Sequence, residues 1–134
     1  MFSSLSLGRR VSVVCGFLIF FVPGVGHFTD PAPFVHIVPP QLPAPDLLVA
    51  ISGFFEIAGA VGLLIPRLRR AAGWGLIALL IAVYPANIHM LVHDVYLPDM
   101  PQERWMLWVR MPVQFVFAAV VVHAADLRRR APAD

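Results

Sequence analysis

Glu56 and Arg110 are the two formally charged side chains that fall well inside long apolar runs of this chain. An ionisable group near the middle of a bilayer costs about 2.5–3.5 kcal/mol even on the mildest insertion scale, so each needs a partner or a purpose. Glu56 follows Asp46 by ten residues and Arg110 follows Trp105 by five, which places them roughly 15 Å and roughly 8 Å below one surface at 1.5 Å per residue. A guanidinium reaching inward and a carboxylate reaching outward are therefore expected to pair. Asn87 precedes Asp94 by seven residues, roughly 10 Å down, and Gln114 lies one turn from Arg110 on the same helix face. Ser52 and Gly59 flank Glu56 at i−4 and i+3, small residues that let another backbone approach. Pro23, Pro85 and Pro112 interrupt apolar runs and free the carbonyls of Ile19, Ile81 and Trp108. Lipid tolerates freed carbonyls only when something re-satisfies them.

These residues predict a polar cavity in one half of a helical bundle, suited to a small molecule. The competing reading is a buried hydrogen-bond network that fixes helix register without a ligand. If Glu56 acts, it exchanges a proton with a bound carrier; burial and Arg110 act on that proton in opposite senses. A second constellation is His27, His36, His89 and His93, with His89 and His93 at i,i+4 on one helix face. With Met90, Met100 and Asp94 nearby it could serve copper, zinc or a haem iron, although the spacing supplies no third ligand and a metal site needs both identity and geometry. His123 is read as interfacial. Covalent catalysis finds no phosphate loop, nucleophile elbow or close carboxylate pair. The single Cys15 excludes a CxxC relay and a Cys-rich zinc module. The chain is not expected to be catalytic alone.

What must hold these residues follows from composition. Of 134 residues, 59% are hydrophobic and 13% charged, with a mean hydropathy of +0.77, whereas a soluble domain carries about 25% charged residues. The length suits one domain spanning residues 1–134. A net charge of +2 with no lysine excludes nucleic-acid binding. Four apolar stretches, Val11–Phe28, Leu47–Ile65, Ala71–Val92 and Trp105–Ala125, each approach the ~20 residues a helix needs to cross a bilayer. The first continues to Pro23 without a small-residue cleavage site and is read as a span rather than a signal peptide.

Eight of the ten arginines (Arg9, Arg10, Arg67, Arg69, Arg70, Arg128, Arg129 and Arg130) fall on one side, which the positive-inside rule assigns to the cytoplasm with both termini. Asp30, Asp46, Asp94, Asp99 and Glu103 lie on the other side. Trp74, Tyr96, Trp105 and Trp108 suit an interfacial aromatic belt. The segment from His27 to Asp46 contains six prolines, a density that forbids a regular helix and predicts a stiff extended or turned cover over the bundle mouth. The expected fold class is all-α: an integral-membrane four-helix bundle with both ends inside and a Pro-rich outer loop between its first two spans.

Several short motifs carry a resemblance over most of the chain. They are Gly24-Val25-Gly26-His27-Phe28, Ile37-Val38-Pro39-Pro40 with Leu42-Pro43-Ala44-Pro45, Ser52-Gly53-Phe54-Phe55-Glu56, Tyr84-Pro85-Ala86-Asn87-Ile88 and Arg110-Met111-Pro112-Val113-Gln114. In order and depth they resemble the DoxX family of small four-helix membrane proteins, which is similar to the DoxD-type membrane subunits of thiosulfate:quinone oxidoreductases. Met111 stands where that pattern expects leucine, and His89 and His93 lie outside it. The resemblance implies a quinone or lipid-like ligand near His27, Glu56, Asn87, Arg110 and Gln114, in a bacterial-type inner membrane, with electrons supplied by a redox partner protein. The alternatives are a scaffold or accessory subunit whose polar core, Ser52 included, only specifies packing, and an outer-face copper or zinc binder at His89 and His93. A homo-oligomer is compatible with any of the three.

Overall fold

The computed structural model describes residues 2–98 and 100–129, so Asp99 and Arg130, counted above for topology, lie outside the described residues. It is all-helical: α1 (Leu7–Thr29), α2 (Ala32–His36), α3 (Pro45–Leu64), α4 (Arg69–Val92) and α5 (Arg104–Ala125). The four long helices match the four apolar runs and are long and apolar enough to cross a membrane. α1 begins four residues before the expected run because Ser6 caps it, its hydroxyl accepting the Arg9 N–H at 3.4 Å. Pro23, Pro85 and Pro112 sit inside continuous helices.

The Pro-rich segment departs from expectation. It contains a short helix, α2, where no regular helix was expected. The reason is positional: Pro31 occupies the N-cap and Pro33 lies in the first turn, where a missing N–H has no intrahelical acceptor to serve. Pro45 opens α3 in the same way, after Ala44 turns the chain with a φ of 47°.

Neighbour relations decide everything that follows. α1 packs against α3 and α5, and α4 packs against α3 and α5, leaving α1/α4 and α3/α5 as the diagonals of the bundle. The interior is built from small and medium residues, among them Val13, Ala60, Leu63, Leu76 and Val121, while Phe54, Ile81, Trp105, Trp108 and Phe115 point outward. That inversion suits a lipid solvent, which rewards close backbone approach over burial of large apolar groups. α1 and α3 cross at Gly24 and Gly53, where a Cβ on Gly53 would lie 2.6 Å from His27 Cβ and 3.1 Å from the Gly24 carbonyl oxygen.

Arginines tie the end of the bundle that carries the N-terminus of α1 and the C-terminus of α5. Arg9 reaches the Ala124 carbonyl at 3.1 Å and the Asp126 carboxylate at 3.2 Å, and Arg70 donates to the Asp126 and Arg129 carbonyls at 2.8 and 2.9 Å. Arg69 is buried, donating through Nε to the Leu63 carbonyl at 2.6 Å and through Nη2 to that of Leu64 at 3.4 Å. It therefore caps the C-terminus of α3, whose last carbonyls have no intrahelical donors. Composition marked Arg69 only as a topology signal. Arg69→Ala should lower stability by about 1.5–3 kcal/mol, the range for hydrogen bonds to a charged group, and lower the melting temperature in detergent; an unchanged transition would show that the cap contributes nothing.

Candidate functional site

The six predicted site residues divide into two networks, one on each pair of neighbouring helices. In the first, His27 of α1 faces Val49, Ser52 and Glu56 of α3. Its Nδ1 lies 2.9 Å from the Val49 carbonyl and 3.0 Å from Ser52 Oγ, which itself donates to the Val49 carbonyl at 3.0 Å. Its Nε2 lies 3.4 Å from Glu56 Oε2, in a contact not aligned as a hydrogen bond. Both side chains are largely buried, at 10% and 15% exposure. A carbonyl can only accept, so Val49 requires the proton of the imidazole to sit on Nδ1. A favourable Nε2 to Oε2 contact then needs one more proton, carried either by the acid or by the imidazole. The His27–Glu56 couple can form that bond only by sharing one proton. The ring of Phe34 from α2 lies 4.1 Å from that of His27, so the short helix covers this site.

The second network links α4 to α5. Arg110 Nη2 donates to Asn87 Oδ1 at 3.2 Å, Asn87 Nδ2 donates to Gln114 Oε1 at 2.5 Å, and Gln114 Nε2 donates to the Leu80 carbonyl at 2.7 Å. Every bond runs the same way, from the guanidinium down to the α4 backbone. Gln114 serves Leu80, one residue before the Ile81 carbonyl that Pro85 was expected to free. Arg110 Nε is buried without a partner.

The expected Glu56–Arg110 ion pair is overturned: among the described residues the two charges do not approach within 4.0 Å. They occupy diagonal helices, so each is served by its neighbour instead. A cavity of about 280 Å³ lies between α4 and α5, walled chiefly by Ile77, Leu80, Ile81, Tyr84, Gln114 and Phe115. It is an apolar groove on the outward side, since Ile81 and Phe115 are exposed. Gln114 is the one predicted site residue in its wall. Tyr84 and Phe115, whose rings meet edge to face at 6.1 Å, were not singled out from sequence because aromatics on apolar helices carry no positional signal. The Val49 carbonyl and Phe34 were missed for the same kind of reason: their role depends on a neighbouring helix.

His89 and His93 have ring centroids 4.4 Å apart with planes tilted by 35°, and His93 Nδ1 lies 3.2 Å from the His89 carbonyl. Among the described residues, no group of three or more His, Cys, Asp or Glu side chains is placed to hold a metal ion. A smaller cavity of about 110 Å³ at the arginine-rich end is lined by Ala119, Val122, His123, Asp126 and Arg128 and shares no residue with either network.

The helices and their two polar networks define a small membrane protein of the four-helix type with a divided polar core. The chain belongs to the family described as a domain of unknown function, DUF8561, which it matches over residues 17–125. That span takes in α2 to α5 and most of α1. No curated protein and no solved structure matches the chain.

Proposed function

We propose that this chain is a multi-pass protein of a bacterial-type inner membrane, with both termini cytoplasmic, that binds a quinone-like or other lipophilic small molecule as a redox-associated subunit. The single observation that carries this reading is the groove of about 280 Å³ between α4 and α5, apolar except for Gln114 at its polar edge. Its volume is close to the ~300 Å³ lower end of small-molecule sites, which are typically apolar with a few placed polar groups. It opens toward lipid, the phase in which such a molecule dissolves. The His27–Glu56 couple supplies a proton-bearing group in the same bundle, and the resemblance to DoxX-like and quinone-linked membrane subunits supports the ligand class. Eight arginines on one side support the orientation. The resemblance to quinone-linked subunits places the electron source in a partner protein.

The test is binding of a short-tailed quinone analogue to the purified protein in nanodiscs. Ala118 also lines the groove, and Ala118→Phe, which fills it, should weaken binding at least about tenfold, or ~1.4 kcal/mol. If the analogue does not bind, or binds the filled variant as it binds the parent, the reading fails. A structural core without a ligand is the second reading, favoured by Asn87 and Gln114 satisfying one another and Leu80. It is the outcome left standing in that case.

A further inference from the structure

We infer that the α4/α5 groove takes a single-chain anionic amphiphile, a long-chain carboxylate that lays its tail in the groove and its head on Arg110. This rests on the reading of the groove as a ligand site and adds the charge of the ligand.

In the chain Arg110 to Asn87 to Gln114 to Leu80, the amide oxygens of Asn87 and Gln114 each already accept a bond from the residue above. The chain therefore ends at Arg110 with surplus donors: its Nε–H is buried without a partner, and one hydrogen bond from Nη2 is the sum of its side-chain bonds among the described residues. A guanidinium has five N–H donors and no acceptor, so what it lacks is an acceptor-only group.

Charge sharpens this. Arg110 lies six residues into α5, roughly 9 Å below the helix end, where an uncompensated cation is expensive. Among the described residues no carboxylate lies within 4.0 Å of Arg110. Glu56 contacts His27 across the α1/α3 seam, Asp94 bonds Arg104, and Glu103 accepts from Trp105 Nε1. A carboxylate matches the guanidinium fork in shape and charge, whereas a neutral carbonyl satisfies a donor and leaves the charge.

Position selects a single-chain molecule from the bilayer. Gln114 lines the groove and lies one turn from Arg110 on α5, so a head group at the Gln114 end of the groove is one helical turn from the guanidinium. The groove is open between exposed Ile81 and Phe115, giving lateral entry from lipid. Its volume of about 280 Å³ has no room for two acyl chains and takes the upper part of one, the rest of the tail lying in lipid. A single-chain carboxylate can also sink to the depth of Arg110, whereas a phospholipid headgroup is held at the interface by its second chain.

The experiment uses the full chain in phosphatidylcholine nanodiscs, with doxyl-labelled stearic acid and its methyl ester as probes and empty nanodiscs correcting for partitioning. The expected result is that the acid binds at least tenfold more tightly than the ester, that Ala118→Phe weakens both, and that Arg110→Met brings acid to within about twofold of ester without changing the ester. If Arg110→Met does not fold, Arg110→Lys, which keeps the charge, should retain the preference, and the acid-to-ester ratio of the parent decides by itself. Equal binding of acid and ester in the parent overturns this inference and leaves the groove as a neutral-ligand site. Binding of neither probe, together with no binding of the quinone analogue, overturns the reading beneath it. Loss of the acid's binding on adding phosphatidylglycerol to the nanodisc makes a phospholipid the occupant and overturns the carboxylate assignment.

Discussion

Replacing His27 with leucine should destabilise the protein by about 3–5 kcal/mol, because it strips Glu56 of its partner and leaves a carboxyl group buried alone. Glu56 Oε2 has no other partner among the described residues and the side chain is 15% exposed, so solvent does little to compensate. The double variant His27→Leu/Glu56→Met should recover most of that loss, since removing both members of a buried pair is often near neutral. Glu56→Gln should be mild, within about 1 kcal/mol, the typical cost of a point substitution. An amide can donate to His27 Nε2 while Nδ1 keeps its bond to the Val49 carbonyl, which is the arrangement the single shared proton requires. The three variants form a test by reversible unfolding in micelles. An ordinary interhelical hydrogen bond in a membrane averages about 0.6 kcal/mol. A His27→Leu cost of that size, or a double variant no better than the single, would show that the pair carries no buried charge or proton.

Gly53→Ala is expected to cost about 1–3 kcal/mol, the usual range for overpacking, and more for valine. The added carbon would lie 2.6 Å from His27 Cβ and 3.1 Å from the Gly24 carbonyl oxygen. Neither neighbour is the free end of a flexible chain, so α1 and α3 must separate. The same separation lengthens the contacts of His27 with Val49, Ser52 and Glu56, so the imidazole should lose its fixed Nδ1 proton, a change visible by nitrogen NMR of labelled histidine. Gly75 provides the control. Nothing lies within 4 Å of a Cβ placed there, and Gly75→Ala should be neutral or stabilising by up to ~1 kcal/mol through helix propensity. Equal effects at Gly53 and Gly75 would show that the α1/α3 crossing is not close.

Much of the fold was legible from the chain. Apolar runs interrupted by arginines and acids mark the four long helices within a few residues, since a helix in lipid satisfies its own backbone and needs only length and apolar side chains. The polar residues inside the apolar runs were legible too: Glu56, Asn87, Arg110 and Gln114 all take part in polar networks. What went wrong was partnership. Glu56 and Arg110 match in charge and approximate depth, yet they sit on diagonal helices. His27 was singled out only by resemblance and its place among the histidines, and it turns out to be the carboxylate's neighbour.

Sequence by itself therefore determined the number of helices long and apolar enough to cross a membrane and which polar groups lie on them, because these depend on composition and on distance along one helix. The tertiary structure alone decided the rest: that α1 lies beside α3 and α4 beside α5, so that the polar core divides into a proton-holding couple and a donor chain ending at Arg110. Rotation and neighbour order of helices arise from close contacts such as Gly24 against Gly53, which join residues far apart in the chain. No periodicity within a single span encodes them.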